Sequence, residues 1–303
     1  MKALVIGGNG FIGSHVVDAL LLSGHKVRVF DRGAELYRSP LVDVDYRLAD
    51  FSDVSALAEA LVGVDSVYHF VSTTVPSTSN LDPISDIKGN LINTVRLLQL
   101  MLQNGVSRIV YLSSGGTVYG IPDISPIPEK HPLKPICSYG VVKVAIENYL
   151  FMYQSLHGIK PVVLRVSNPY GERQGHSGVQ GVVGTFLQKI KNNERIEIWG
   201  DGSVVRDFIY VFDLARSCVL AGESEYCGIL NVGSGVGNSV RDVLDISMEV
   251  SDCTMKPMYK TGRAYDVPSV VLDVSKVRDV LGWQPRIGLK EGVTKTWIWL
   301  NSL

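Results

Sequence analysis

Residues 1–13 read MKALVIGGNGFIG, a short apolar run followed by glycines that include Gly7, Gly10 and Gly13. The apolar run predicts a buried strand, and the glycines predict a sharp turn into a helix that begins near Phe11. Such a turn lets a pyrophosphate approach the backbone amides at the helix N-terminus, and the last glycine lets the helix pack closely on the strand. This stretch therefore predicts a dinucleotide-binding loop.

The next apolar run, 26–30, indicates which dinucleotide is bound. It ends at Asp31, 18 residues after Gly13, where a carboxylate can bind the ribose 2′-hydroxyl of NAD. The same carboxylate repels the 2′-phosphate of NADP, although Arg32 beside it works against that preference. The pattern favours NAD.

Short β-branched runs alternate with amphipathic stretches through the first half of the chain. Strands are predicted at 2–6, 26–30, 66–70, 108–112 and 162–165, and helices at 11–22, 54–61, 84–103 and 139–156. Continuous apolar strands that alternate with helices indicate an α/β fold, a doubly wound parallel sheet. We expect residues 1–170 to bind the dinucleotide, with 204–221 returning to that domain. Residues 171–303 are expected to form most of a smaller α/β lobe that binds the substrate.

Composition and charge exclude several classes of protein. Hydrophobic residues make up 46% of the chain and the net charge is −1, so we expect a large core and no nucleic-acid-binding surface. No apolar run is long enough for a membrane span, and the first one is too short for a signal peptide. The four cysteines show no metal-binding spacing, so we expect a cytoplasmic protein with reduced thiols and no metal site.

Tyr139 and Lys143 are four residues apart in a predicted helix, which places them on one face. A tyrosine alone is a poor base at neutral pH, because its ordinary pKa is about 10. A nearby ammonium lowers that pKa by stabilising the phenolate, and the pair can then take a proton from a substrate hydroxyl.

Further motifs accompany this pair, namely SSGGTVYG at 113–120, LRVSNP at 164–169, VRD at 205–207 and LGWQP at 281–285. Together with the glycine loop they resemble the extended short-chain dehydrogenase/reductase superfamily, in particular its nucleotide-sugar epimerases and dehydratases. The resemblance covers nearly the whole chain. It implies a Rossmann sheet, bound NAD, a UDP-sugar substrate, and a homodimer whose four-helix interface is formed by 84–103 and 139–156.

The resemblance also implies roles for individual residues. The family's third catalytic residue is a Ser or Thr at the position of Gly115, so we expect Ser114 to replace it, with Thr117 as the alternative. The implied cofactor contacts are Gly7, Gly10, Phe11, Ile12, Gly13, Asp31, Arg32, Asp50, Phe51, Phe70, Val71, Ser72, Asn90, Tyr139, Lys143 and Asn168. The implied substrate contacts are Asn168, Trp199, Arg206, Arg263, Asp266 and Val270. A surface ion pair is the alternative for each arginine, and simple packing is the alternative for the tryptophan.

Two departures narrow the choice of reaction. Dehydratases of this family carry an Asp and a Glu where this chain has Gly116 and Thr117, which argues against dehydration. Thr74 replaces a lysine that often contacts the nicotinamide ribose, which keeps open an NAD(P)H-dependent reductase of 4-keto-6-deoxy nucleotide sugars. A non-catalytic NAD(P) sensor on the same fold is a third interpretation. The resemblance of residues 293–299 to UDP-hexose 4-epimerases favours an epimerase.

Val270 bears on the sugar that is accepted. It lies seven residues after Arg263, at the position whose side chain in 4-epimerases determines the space around the substituent on C2 of the sugar. A tyrosine there restricts the family's pocket to plain hexoses, whereas a small residue admits N-acetylhexosamines. We therefore expect UDP-GlcNAc and UDP-GalNAc to be interconverted, with UDP-Glc and UDP-Gal as a second pair. In the family such enzymes supply precursors for polysaccharide synthesis.

Overall fold

The computed structural model describes residues 1–174, 181–261 and 267–303. The strands are β1 (Lys2–Ile6), β2 (Lys26–Asp31), β3 (Val44–Leu48), β4 (Ser66–His69), β5 (Arg108–Ser114), β6 (Lys160–Val166), β7 (Asn168–Tyr170), β8 (Glu197–Trp199), β9 (Val205–Tyr210), β10 (Gly228–Val232), β11 (Gly237–Ser239), β12 (Met258–Lys260) and β13 (Ser269–Val270). The α-helices are α1 (Phe11–Leu22), α2 (Val54–Leu61), α3 (Pro83–Asp86), α4 (Asn93–Gln103), α5 (Ser138–His157), α6 (Val182–Lys191), α7 (Val211–Glu223), α8 (Val240–Ser251), α9 (Ser275–Leu281) and α10 (Leu289–Asn301). A π-helical turn, Ile87–Ile92, joins α3 to α4.

A seven-stranded sheet has the order β10-β6-β5-β4-β1-β2-β3, and β1 pairs in parallel with both β2 and β4. The chain moves outward from β1 in one direction through β2 and β3, and in the other through β4, β5 and β6. The order therefore reverses between β1 and β4, where doubly wound sheets open a crevice at the carboxyl ends of the strands. The predicted fold class is confirmed.

The chain divides into two compact units. The first comprises Met1–Gly120, Pro132–Arg165 and Ala215–Leu230. The second comprises Ile121–His131, Val166–Leu214 and Asn231–Leu303. The assignment of cofactor binding to one domain and substrate binding to the other stays a prediction.

Each unit has its own hydrophobic core. In the first, fully buried β-strand side chains such as Leu4, Ile6 and Ile109 pack with helix residues such as Leu97 and Leu150. In the second, β9 is the central strand of a small sheet and pairs with β7, β11 and β13. A separate pair, β8 and β12, is parallel. No helix in the described part of the chain is long and apolar enough to cross a membrane.

Candidate active site

The glycine loop connects β1 to α1 and has the geometry that a dinucleotide requires. Gly7 has φ +85°, a left-handed conformation that favours glycine. A Cβ on Gly13 would lie 2.0 Å from the carbonyl oxygen of Gly7, so only glycine allows this approach of helix to loop. Gly10 is the N-cap of α1 and no side chain caps this helix, which leaves first-turn amides for an anion. These features fit a bound pyrophosphate.

A cavity of about 670 Å³ opens at the carboxyl ends of β1, β2, β3 and β4. It brings together nine of the predicted cofactor residues: Gly7, Gly10, Asp31, Arg32, Asp50, Phe51, Phe70, Val71 and Ser72. The other seven predicted cofactor residues are not among its lining residues: Phe11, Ile12, Gly13, Asn90, Tyr139, Lys143 and Asn168. The volume and the lining fit NAD, and the position is the crevice expected from the strand order.

Two carboxylates on the cavity wall are held by backbone amides. Asp31 accepts hydrogen bonds from the amides of Asn9 (3.0 Å) and Gly33 (3.1 Å), which orient it at the end of β2. Asp50 accepts from the hydroxyl and the amide of Ser52, and these bonds lower its pKa. Both positions suit the cofactor contacts predicted for them.

One wall of the cavity was missed by the sequence analysis. Thr73, Lys88, Gly89, Ile92, Asn93 and Arg96 also line it. Most of them belong to the π-helical turn and the start of α4, and a regular helical pattern gave no sign of the turn. Asn90 was predicted to contact the cofactor. Its side-chain amide accepts from the amide of Thr73 (2.9 Å) and donates to Asp86 (2.8 Å), and its contact with the cofactor stays a prediction.

The structure places Tyr139 and Lys143 together on the first turns of α5. The Lys143 ammonium lies 5.4 Å from the ring centre of Tyr139 and 4.8 Å from that of Tyr111. It donates a hydrogen bond to the carbonyl oxygen of Leu112 at 2.8 Å. The predicted pairing of Tyr139 with Lys143 is thus present in the fold.

The pKa of Tyr139 differs from the sequence expectation. Burial of the phenol raises its pKa to about 12, although a hydrogen bond with Ser72 acts in the opposite direction. Burial also lowers the pKa of Lys143 to about 8, with Glu147 and Asp86 opposing that change. The expected lowering of the Tyr139 pKa is therefore wrong for the protein alone, because burial disfavours the phenolate.

Ser114 and Thr117, the two candidates for the third catalytic residue, belong to the same turn after β5. The carbonyl oxygen of Ser114 accepts from the amides of Thr117 and Val118. The Thr117 hydroxyl is buried and has no hydrogen-bond partner in the described part of the chain. A Cβ on Gly140 would lie 2.8 Å from the Thr117 carbonyl oxygen, so α5 begins directly against this turn. The two candidates remain open.

The second unit has a cavity of about 540 Å³, lined by β7, α6, β8 and β9. Three predicted substrate residues, Asn168, Trp199 and Arg206, line it. The Arg206 guanidinium donates to the carbonyl oxygens of Val205 and Val267. The Asn168 side chain donates to the backbone carbonyl oxygen of Asp207. Lys189, Glu197 and Phe186 also line this cavity and were not predicted. Arg263 and Asp266 lie outside the described residues.

Val270 lies on β13, which pairs with the cavity-lining strand β9. Val270 itself does not line the cavity. It is 2% exposed, and its backbone is paired with Arg206 across β13 and β9. Paired residues of neighbouring strands point to the same face of a sheet. Asn168 is paired in the same way with Phe208, two residues after Arg206. One face of β9 and its neighbours therefore carries Asn168, Arg206 and Val270.

The chain is similar over its whole length to proteins of known activity. A model of the NAD dependent epimerase/dehydratase family matches residues 3–233. UDP-glucose 4-epimerase of Mycolicibacterium smegmatis is 36% identical over 306 residues, which cover 98% of this chain and 97% of the relative. This similarity includes residues from both units.

Two solved structures have the same fold. UDP-glucose 4-epimerase of Thermotoga maritima, with UDP-glucose, has a TM-score of 0.94 and 33% identity, and the match covers 100% of this chain and 99% of that one. UDP-N-acetylglucosamine 4-epimerase of Methanobrevibacter ruminantium, in complex with UDP-N-acetylmuramic acid, has a TM-score of 0.94 and 28% identity, with 99% and 98% covered.

Proposed function

Because the chain belongs to the NAD dependent epimerase/dehydratase family, we propose that it interconverts UDP-sugars that differ in configuration at C4, through a 4-keto sugar. It is an enzyme of the extended short-chain dehydrogenase/reductase type and uses NAD. One observation carries the proposal: Ser72, which lines the dinucleotide cavity, lies close enough to the buried phenol of Tyr139 to act on its pKa. The predicted base thus reaches the wall of the predicted cofactor site.

The reaction assigns a task to each residue of this group. Tyr139 takes the proton from O4 of the sugar, the 4-keto sugar then turns its other face to the cofactor site, and Tyr139 gives the proton back to O4 as C4 is reduced from that face. Lys143 supplies the positive charge that makes this transfer possible. Ser114 or Thr117 donates a hydrogen bond to the reacting oxygen. Bound NAD would supply reversible hydride transfer at C4. The residues that would hold it are those that line the first cavity.

For the substrate we propose UDP-GlcNAc and UDP-GalNAc, with UDP-Glc and UDP-Gal as a second pair. Arg206 suits the diphosphate, since a guanidinium forms two parallel hydrogen bonds to phosphate oxygens. Asn168 and Trp199 line the same cavity and are proposed to contact the nucleotide sugar. The short side chain of Val270, on the strand beside Arg206, leaves the room that an N-acetyl group on C2 needs.

We further propose that the chain forms a homodimer through α3–α4 and α5. Four large apolar side chains of α5 are exposed at helical spacing: Val141, Tyr149, Met152 and Leu156. Ile84, Ile87 and Ile92 are exposed on the neighbouring segment. An apolar surface of this extent is typical of a surface that packs against another protein, and the predicted partner is a second copy.

The experiment that tests the proposed activity follows UDP-GlcNAc and UDP-GalNAc by NMR with purified protein and no added cofactor. Interconversion to a constant ratio is expected, together with loss of turnover in Tyr139→Phe that leaves bound NAD unchanged. No interconversion, with NAD supplied and UDP-Glc tried in parallel, would overturn the proposal. The next assay would then be reduction of a 4-keto-6-deoxy sugar nucleotide with NAD(P)H. If the protein were inactive in that assay too, the interpretation as a non-catalytic NAD(P) sensor would be favoured.

A further inference from the structure

Asp86, the last residue of α3, is a fully buried acid in the first unit. Its Oδ1 accepts hydrogen bonds from the hydroxyl of Thr74 (2.8 Å) and the side-chain amide of Asn90 (2.8 Å). Its Oδ2 accepts from the hydroxyl of Ser138 (2.7 Å). All three partners are donors, which is the arrangement that a carboxylate requires.

The three donors belong to three different segments of the chain. Thr74 follows β4, Asn90 lies in the π-helical turn, and Ser138 is the first residue of α5. A buried carboxylate is costly unless its oxygens are satisfied, so the fold keeps these segments together around Asp86. Its position is therefore fixed by the same contacts that fix the start of α5.

Each carboxylate oxygen of Asp86 bonds a residue that lies near Tyr139 in the chain or in space. Its Oδ2 accepts a hydrogen bond from Ser138, the residue directly before Tyr139 in α5. Through the other oxygen it holds Thr74, and the carbonyl oxygen of Thr74 lies 3.0 Å from the Ser72 hydroxyl. Ser72 in turn lies close enough to the Tyr139 phenol to act on its pKa. Asp86 is thus bonded to the residue before Tyr139 and to the segment beside the Tyr139 phenol.

We propose that Asp86 is a positioning residue for Tyr139, which it holds between the start of α5 and the Ser72–Thr74 segment. The inference rests on the proposed function, because it assumes that Tyr139 moves the proton. A misplaced proton-transfer group slows the chemical step much more than it weakens substrate binding. Loss of Asp86 should accordingly affect kcat and leave KM almost unchanged.

The charge of Asp86 gives this role a second consequence. The carboxylate raises the pKa of Tyr139 and that of Lys143, because it disfavours the phenolate and favours the ammonium. Cys137 also raises the pKa of Tyr139, and the Lys143 ammonium lies near the rings of both Tyr139 and Tyr111. Removal of the Asp86 charge alone should therefore lower both pKa values.

Asp86→Asn tests the proposal because it keeps an acceptor oxygen and removes the charge. We expect kcat of the epimerisation to fall about 10- to 100-fold with little change in KM. The alkaline limb of the pH–rate profile should move to lower pH, since the pKa of Lys143 falls. An unchanged kcat, or a lower kcat with an unmoved profile, would overturn the proposal.

Two further variants separate position from charge. Ser138→Ala and Thr74→Val each remove one donor and retain the carboxylate, so each should lower kcat by less than Asp86→Asn and leave the pH profile in place. Asp213→Asn is the matched control in the second unit, where the buried carboxylate of Asp213 accepts from the amides of Arg286 and Ile287. Its kcat and pH profile should equal those of the unaltered protein, and a shifted profile in this control would count against the proposal.

A spectroscopic measurement makes the outcome independent of the proposed activity. The ultraviolet titration of tyrosinate, taken as the difference between each protein and its Tyr139→Phe counterpart, isolates the Tyr139 phenol. Its pKa should be lower in Asp86→Asn than with Asp86 present, even if the protein turns over no UDP-sugar. An equal pKa in the two proteins would refute the inference, whereas an inactive unaltered protein would refute only the proposed function.

Discussion

The ammonium of Lys143 donates a hydrogen bond of 2.8 Å to the carbonyl oxygen of Leu112, near the end of β5. The strand therefore fixes a charge that α5 carries, and it does so within 5.4 Å of the ring centre of Tyr139. Lys143 is only 7% exposed, and burial lowers its pKa to about 8. The charge on which proton transfer depends is thus titrated close to neutral pH.

The pKa of Lys143 predicts a loss of activity on the alkaline side. As pH rises through about 8, the ammonium loses its proton and no longer stabilises the phenolate, so kcat should fall. Lys143→Arg should have lower activity throughout, but that residual activity should not fall in the same range, because a guanidinium stays protonated. Steady-state rates across the pH range test this, and an alkaline limb that is identical in both proteins would contradict it.

Gly13→Ala should prevent cofactor binding. The added Cβ would lie 2.0 Å from the carbonyl oxygen of Gly7 and 2.8 Å from the Cα of Gly8, so the loop must move away from the helix N-terminus. Purified Gly13→Ala should carry no NAD and show no epimerisation. Gly288→Ala is the control, since nothing lies within 4 Å of a Cβ there and its φ of −74° is one that alanine readily adopts. NAD content at the unaltered level in Gly13→Ala would refute the prediction.

The glycine loop and the strand–helix rhythm carried most of the sequence prediction. β1 and α1 begin and end where their patterns indicated, because buried parallel strands and amphipathic helices leave strong periodic signals. β3 was missed because Val44-Asp45-Tyr46-Arg47-Leu48 lies at the sheet edge, where one strand neighbour is absent and charged side chains are tolerated.

Contacts between distant segments left no local signal. The carboxylate of Asp86 is bound by residues 12 positions before it and 52 positions after it, so no window of sequence shows the network. The π-helical turn at Ile87–Ile92 was predicted as regular helix for a related reason. A π-helical turn contains one residue more than a regular helical turn, so the apolar positions that follow it are shifted by one. In a moderately apolar stretch this shift does not show in the sequence. The direction of the Tyr139 pKa depended on burial, which spacing alone does not reveal.

Glu147→Gln should destabilise the fold strongly. Glu147 and Arg165 form an ion pair with Nη2–Oε2 at 2.6 Å and side chains only 3% and 2% exposed, and Ser113 also donates to Glu147. Loss of one partner leaves a buried guanidinium uncompensated, which costs about 3–5 kcal/mol. Urea denaturation measures the change. Glu249→Gln is the control, because its pair with Lys290 is 61% exposed on both sides and should matter little. Equal losses in the two variants would contradict the prediction.

A charge on the apolar stripe of α5 should dissociate the proposed homodimer. The double variant Met152→Glu/Leu156→Glu places two like charges one turn apart on exposed positions of that stripe. Sedimentation velocity should then show a monomer, where the unaltered protein sediments as a dimer. Leu22→Glu, on the far more exposed end of α1, should remain a dimer. A monomeric unaltered protein would remove the basis for the interface.

Val270→Tyr should narrow the sugar specificity. Val270 pairs with Arg206 across β13 and β9 and is 2% exposed, so the phenol ring must enter the space on the Arg206 face of the sheet. If that space receives the substituent on C2, kcat/KM for UDP-GlcNAc should fall at least about tenfold while that for UDP-Glc changes little. Val270→Ala, which keeps a small side chain, should retain both activities.

Turnover of UDP-Glc in the tyrosine variant also shows that the variant is folded, so a selective loss of UDP-GlcNAc turnover means steric exclusion. Full turnover of UDP-GlcNAc in Val270→Tyr would mean that another residue sets the room at C2, and an equal loss of both sugars would mean that position 270 only supports the strand.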